Sequence, residues 1–503
     1  MQLFPSPPLA LLALSATVAR AQELLSFRSR PDLQPLKWIV AKEPTENYHD
    51  GYYMTCPWST DVPQPAPAIY TSKGDLVWTD PEVGMCFDLD VQNLNGTDVL
   101  TFWNGTVNPF SRYGIGQAYI MDSTYAVTHV LATTFNDTCD LHEFTIPKAT
   151  NSTALLPVYW PVQADLSDYG GTEDGWVLYN FFQEIDIATG EIVFEWNSSE
   201  HVPFSESYTT AANSTTAYYA WDYFRINSID KDTSGNYLVS SGHTQALYYI
   251  DGTDGEIIWK LGGKNSSFTF GLNATFYGQQ DARFVDGPTV VSMHVGEATT
   301  GQTTERGLSL LLNTTTMEAT MLVEFLPLTP YTSTSQGSLR YDPDGNVVFG
   351  GGTNPWISEY LPNGTMIYSA ALGGEGLVDS LIENYRSLKT TTWIGYPQTA
   401  PDIAFNGSTV WASWNGATEV AEWEILTGAH PSILRPVAVV PKDGFETEIT
   451  IDSAKYARAR AYDAWGAVLG QSHVLDANST IVSTDGQYRK RSEIDGRVVQ
   501  NSL

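Results

Sequence analysis

This sequence predicts an all-β fold, a six- or seven-bladed β-propeller, and two observations carry that expectation. Short runs rich in Val, Ile, Thr, Tyr and Trp, broken by Gly, Asn and Asp, read as strands, and helical periodicity is almost absent. Within these runs one unit recurs: a strand, an Asp/Asn-x-Gly turn, and a strand ending near Trp or another large apolar residue.

The unit reads Lys73-Gly74-Asp75-Leu76-Val77-Trp78, then Ile185 through Trp196 (IDIATGEIVFEW), Ile250 through Trp259 (IDGTDGEIIW) and Glu359 through Ile367 (EYLPNGTMI). A weaker copy lies around Trp423 to Gly428, and glycine-free variants lie near Met121 to Thr124 and Asn313 to Thr316. With turns at 74, 124, 190, 255, 316, 364 and 428, the intervals are 50, 66, 65, 61, 48 and 64 residues. A period of that length in an all-β chain is one four-stranded blade, and the turn supplies the positive φ at which the outer hairpin reverses. A pair of β-sandwiches would lack a single phase through the chain. Residues 446–476 either close the ring or pack outside it, which leaves six or seven blades open. The expected organisation is a signal peptide at 1–21, one propeller domain at 22–480 and a polar tail at 481–503.

The apolar run Leu9 to Val18 is too short to span a bilayer and ends at Ala19-Arg20-Ala21, so cleavage is expected before Gln22. Twelve N-x-S/T sequons, at Asn95, Asn104, Asn136, Asn151, Asn197, Asn213, Asn265, Asn273, Asn313, Asn363, Asn406 and Asn478, point to the same compartment. The expectation is a soluble glycoprotein, secreted or held in the secretory lumen, without a membrane anchor. Three cysteines allow one intrachain disulfide. Cys56 with Cys86 is the favoured pair, set against free thiols at all three positions.

The formal charge of −31 disfavours nucleic acid and anionic membranes as partners. The eight histidines show no H-x-x-x-H spacing and the cysteines no C-x-x-C, so neither metal nor cofactor is expected. Chemistry in a propeller sits at the mouth of the central channel. Three segments in consecutive repeats are dense in side chains suited to it: Trp221 to Ser228 (WDYFRINS), Ser240 to Thr244 (SSGHT) and Gln279 to Arg283 (QQDAR).

Here the chain resembles the fungal arylsulfotransferase-like family. The similar motifs are Asp140-Leu141-His142-Glu143-Phe144, Phe182 to Asp186 (FQEID), Trp259 to Lys264 (WKLGGK), Ser335 to Ser338 (SQGS), Tyr385-Arg386 and Ser413 to Glu419 (SWNGATE), in order over about residues 65 to 475. The resemblance implies a propeller and sulfuryl transfer through a sulfated histidine, with His, Asn and Arg stabilising the charge. The family pattern reads roughly D-[FY]-F-H-I-N-S, S-x-R-H-T and Q-H-D-A-R. In this chain its first histidine is Arg225, its arginine is Gly242 and its third-segment histidine is Gln280, while His243, Asn227, Ser228, Asp281 and Arg283 match. His294 stands where the family tends to show an aspartate. His142, in the strand-like DLHEF run, reads as structural.

Neither arginine nor glutamine can carry a sulfuryl group. The expected catalytic set is therefore one of donors, Arg225, His243, Gln280, Asn227 and Arg283, in a channel lined by Trp221, Tyr223, Phe224, Tyr248, Tyr277 and His294. Such donors would polarise a carbonyl and align two apolar or aromatic partners. Degenerate members of the family resemble this chain and act as intermolecular hetero-Diels–Alderases, joining a tropolone-derived quinone methide to a terpene alkene. Two other classes stay open: an arylsulfotransferase using His243 or His294, and a non-catalytic secreted propeller that binds a ligand. The same donors would instead be structural pins if they paired with Asp222, Asp230 or Asp281.

Overall fold

Six of the seven recurring turns close an outer hairpin, because each supplies the left-handed residue that a tight reversal of twisted strands needs. Gly74 (φ 91°), Gly190 (φ 73°), Gly255 (φ 80°) and Gly364 (φ 87°) occupy that position, and Tyr125 (φ 65°) and Met317 (φ 53°) occupy it where glycine is missing. The computed structural model describes residues 23–285, 287–296, 304–333, 335–374 and 382–488. The expected signal peptide and residues 489–503 of the expected tail lie outside them.

The hairpins belong to six sheets that follow one another along the chain, the arrangement of a β-propeller. In the first, Leu388–Thr390 pairs with Tyr52–Thr55, which continues to Ala68–Thr71 and Leu76–Thr79. The second runs Cys86–Leu94, Thr97–Val107, Gly114–Met121 and Val127–Leu131. The third holds Thr153–Ala164, Gly175–Asp186 and Ile192–Asn197, with Trp221–Asp222 added in parallel. The segment before it, around Asp140 to Thr145, follows its inner edge through Asp140 N to Pro157 O and Leu155 N to Thr145 O. The fourth comprises Ile226–Lys231, Tyr237–Ser241, Ala246–Ile250 and Ile257–Gly262. The fifth comprises Gln279–Phe284, Val290–Val295, Arg306–Asn313 and Glu318–Phe325. The sixth comprises Ser338–Tyr341, Val347–Gly350, Trp356–Tyr360 and Met366–Leu372.

Both ends of this region contribute to closure. Trp38–Lys42 adds an outer strand to the sixth sheet, and Leu388–Thr390 supplies the inner strand of the first. Residues 446–476 therefore do not close the ring. Strands from Asp402–Phe405 onward pair only with one another, in a three-stranded and a seven-stranded sheet. The weak seventh copy of the repeat falls inside the continuous strand Glu422–His430, so Gly428 is not a hairpin turn. Ile481–Ser483 and Gln487–Tyr488, expected in the tail, are strands of the seven-stranded sheet.

Apolar side chains fill the spaces between neighbouring sheets, where burial of each large residue contributes about 1.5–3 kcal/mol. Phe182, Tyr223, Phe224, Tyr237 and Tyr248 form one such layer between the third and fourth sheets. Cys56 and Cys86 are disulfide-bonded, and Cys139 is a buried thiol. Near the axis the innermost strands are interrupted at Phe87/Asp90, Ile226/Ser228 and Gln280/Arg283. Asp88 (φ 57°), Arg225 (φ 62°) and Asp281 (φ 52°) adopt left-handed conformations there. Such irregularities re-aim side chains that a regular strand would send into the intersheet core.

Candidate functional site

The re-aimed residues first build a plug across the channel. Asp281 accepts from Arg283 Nε (3.0 Å) and Arg340 Nε (2.7 Å), and lies 3.3 Å from Arg386 Nε. Glu143 accepts from Arg283 Nη2 (2.5 Å) and lies 3.2 Å from Arg386 Nη1, which donates to Asp88 at 2.7 Å. Three cations and three carboxylates, drawn from several repeats, thus neutralise one another. Burial works against the Asp281 charge, yet Arg340, Arg386 and Arg283 outweigh it and hold the carboxyl below its ordinary value. On one side of the plug Arg283 and Arg340 border a cavity of about 710 Å³ together with Asp90, Asp230 and Asp342. Burial pushes the Asp90 carboxyl up to about 7.

Another cavity, about 640 Å³, is bordered by Arg112, Trp221, Asp222, Arg225, His243 and Gln280. Arg112, Arg225, Gln280 and Ser335 also border a narrow recess that ends on Trp58, Phe87, His142 and Tyr385. Phe110, Tyr208 and Tyr219 line the wider cavity, with the Phe110 and Tyr219 rings 4.6 Å apart. Apolar aromatic faces beside convergent polar groups are the usual composition of a small-molecule site.

Arg225 is fixed by Nη1, which donates to Ser111 O at 2.9 Å and stands 3.4 Å from Asp222 Oδ2. Burial opposes its charge, but Asp222, with Tyr159 and Asp140 beyond it, raises the guanidinium above its ordinary pKa. His243 Nδ1 meets the Asp222 carbonyl oxygen at 2.5 Å, which fixes the proton on Nδ1 and places the lone pair on Nε2. Burial, opposed by Asp222 and assisted by Arg225, lowers the His243 pKa. Gln280 borders both the wide cavity and the recess.

The other expected site residues lie elsewhere. Asn227 is fully buried, with Nδ2 donating to Gln279 O at 2.7 Å and Oδ1 unpartnered among the described residues. Arg283 is a pin of the plug, paired with Asp281, one of the three expected partners, and with Glu143, which was not expected; Arg225 in turn stands beside the expected Asp222. Tyr223, Phe224 and Tyr248 belong to the intersheet core: the bend between Trp221–Asp222 and Ile226–Lys231 turns Tyr223 and Phe224 both into it, and Tyr248 enters it from Ala246–Ile250. Tyr277 is exposed and borders neither cavity. His294 is fully buried, 3.6 Å from Glu305 Oε2 and against the Phe349 ring. Of the expected lining residues only Trp221 borders the cavity.

Sequence reasoning did not single out Arg112, Phe110, Tyr208 and Tyr219, which border the wide cavity, and it read as structural His142, which borders the recess. The Asp140-x-His142 spacing was a usable signal, because Asp140 Oδ1 accepts from both the backbone N (2.9 Å) and the Nδ1 (2.5 Å) of His142. The aromatic pair Tyr218-Tyr219 was another. None of the twelve sequon asparagines is buried. Asn95, Asn136, Asn151, Asn213, Asn265 and Asn273 have positive φ, so a left-handed turn independently favours asparagine at those six positions.

A family model described as Arylsulfotransferase (ASST) matches residues 90–373, more than half of the chain. No curated protein matches. Among solved structures, a protein of unknown function from Bacteroides caccae is 12% identical with a TM-score of 0.41, covering 68% of this chain and 100% of that one. The β-propeller domain of Cps50 (Swd1) from Myceliophteria thermophila is 13% identical with a TM-score of 0.32, covering 63% and 91%. TolB from Acinetobacter baumannii is 11% identical with a TM-score of 0.36, covering 67% of each chain.

Proposed function

The chain belongs to the arylsulfotransferase (ASST) family, and we propose that in this member sulfuryl transfer has given way to hydrogen-bond catalysis of a cycloaddition. The observation that carries this reading is the pair Arg225 and Gln280 on one cavity, where the family pattern has two histidines. Both side chains donate, and neither can form a covalent sulfuryl intermediate. A carbonyl oxygen bound between them would lose electron density, while Phe110, Tyr208, Tyr219 and Trp221 offer faces to an aromatic or polyene partner. The substrate pair we assign is a polyketide-derived quinone methide or tropolone and a terpene alkene. We place the reaction in the secretory pathway, a reading supported by the absence of any buried sequon asparagine.

The test is product analysis with candidate diene and alkene pairs and a chiral assay. Wild type is expected to raise the rate and to impose stereochemistry. Removing one donor in a water-poor site costs about 2–4 kcal/mol, or roughly 10²–10³ in rate. Arg225→Ala and Gln280→Ala should each lose that much while Tm stays within a few degrees. Unchanged rate and stereochemistry with wild type would leave ligand binding as the function.

A second reading, sulfuryl transfer through His243, is favoured by its fixed tautomer and lowered pKa beside Arg225. It predicts a sulfated His243 peptide after exposure to an aryl sulfate.

A further inference from the structure

The cavity of about 710 Å³ beside the plug is bordered by none of Arg225, His243 or Gln280, and its size is that of a small-molecule site. The cations around its walls are already paired. Lys231 Nζ donates to Glu184 Oε2 at 2.6 Å, Lys389 Nζ donates to both Glu359 oxygens at 2.9 Å, and Arg283 and Arg340 belong to the charge-neutral plug. The exposed Lys148 shares the rim with Asp98. Three carboxylates on the same cavity have no such partner. Asp90 and Asp230 lie on the innermost strands of the second and fourth sheets, and Asp342 directly follows that of the sixth. None of the three forms an ion pair among the described residues. Val91 N donates to Asp90 Oδ1 at 2.7 Å, and Lys231 N and Phe284 N donate to the two Asp230 oxygens, each at 2.9 Å. Asp342 Oδ2 is buried and has no hydrogen-bond partner. A buried carboxylate oxygen without a donor carries a desolvation cost that a bound donor would offset.

We propose that this cavity binds an organic polycation of the polyamine class, whose ammonium groups are held by Asp342 and Asp90 with Asp230 as the third anion. Each ammonium brings N–H donors to oxygens that lack them. The carboxylates are spread over alternate sheets, and no three acidic or histidine side chains among the described residues stand close enough to hold one metal ion. Charges spaced along a flexible chain therefore fit this ring better than a single divalent ion. Burial raises the Asp342 carboxyl well above its ordinary value, opposed by Lys389 and assisted by Glu359, Asp344 and Asp90. Burial likewise raises Asp90 to about 7, opposed by Arg340 and Arg283 and assisted by Asp88. Burial raises Asp230 as well, opposed by Arg283, Arg340 and the two backbone amides. A bound cation restores the ionised forms. The site is separate from the cavity read above as the place of cycloaddition, and stands or falls without it.

The probe is spermidine, titrated calorimetrically into the full chain at about pH 7 in phosphate and in Tris at one ionic strength. A single saturable site with Kd below about 1 mM is expected. Because the cation favours ionised carboxylates, binding should release part of a proton, read as a heat that differs between the two buffers. Asp342→Asn and Asp90→Asn should each weaken binding by at least about fivefold and reduce the buffer-dependent heat. Glu173→Gln, which removes one exposed charge away from the cavity, should change neither. Calcium chloride at the same ionic strength should show no such site. Heats from calcium that match those from spermidine would mean screening of the net charge of −31 alone, and would overturn the proposal. So would the absence of a saturable site, a heat independent of buffer, or an unchanged affinity in either aspartate variant. The calcium and buffer comparisons are made on wild type and need no variant.

Discussion

Gly242 lies directly against Arg225: a Cβ at 242 would stand 3.4 Å from Arg225 Cδ and 3.3 Å from Asn227 Nδ2. The absence of a side chain at 242 leaves the space that the Arg225 stem occupies. Gly242→Arg alone should crowd Arg225 and lower Tm. Arg225→His combined with Gly242→Arg should relieve that crowding. Adding Gln280→His should be the step at which a sulfuryl adduct appears in intact mass after incubation with an aryl sulfate. An adduct in the wild type would refute this order.

Arg386 is expected to matter to stability. Its guanidinium joins Asp88, Glu143 and Asp281 inside the plug. Removing one partner from a buried ionic cluster leaves uncompensated charge and typically costs about 3–5 kcal/mol. Arg386→Met should therefore lower the denaturation midpoint strongly, and a midpoint within error of wild type would refute the plug.

Asp90 should make stability fall with rising pH. Its folded pKa is pushed up to about 7 by burial, against about 3.9 in the unfolded chain. A raised folded pKa means that the favourable contribution is complete below about pH 4 and is lost as the pH rises through about 7. Asp90→Asn should match wild type at pH 4 and be more stable at pH 8, by about 2 kcal/mol once contact with cavity water is discounted. Denaturant unfolding at the two pH values measures this, and equal differences at both would refute it.

Asn104 should remain unglycosylated in material from a secretory host. Its Nδ2 donates to Val83 O and Met85 O, both at 2.8 Å, and a glycan on that nitrogen would disrupt both bonds. Asn363 and Asn406, exposed in turns, should be occupied. Peptide mapping after endoglycosidase treatment distinguishes the sites.

The sequence by itself determined the propeller, because its turns must supply positive φ at a fixed place in each repeat and those residues are visible as Gly74, Gly190, Gly255 and Gly364. It also determined which side chains stand at 225 and 280, an arginine and a glutamine, neither of which can carry a sulfuryl group. The separate pairing of residues 402–488 was hidden because a strand with a Thr-Gly step looks alike inside a sheet and at a hairpin. Which aromatic rings face the cavity was decided only by the tertiary structure. Tyr223, Phe224 and Tyr248 turn into the intersheet core, while Phe110, Tyr208 and Tyr219 reach the cavity from loops distant in sequence. The same holds for Arg283, whose pairing with Glu143 and Asp281 follows from the irregularity at Gln280/Arg283 that re-aims its side chain. Period and composition carry a fold; the direction of a single side chain depends on neighbours brought together only by closure of the ring.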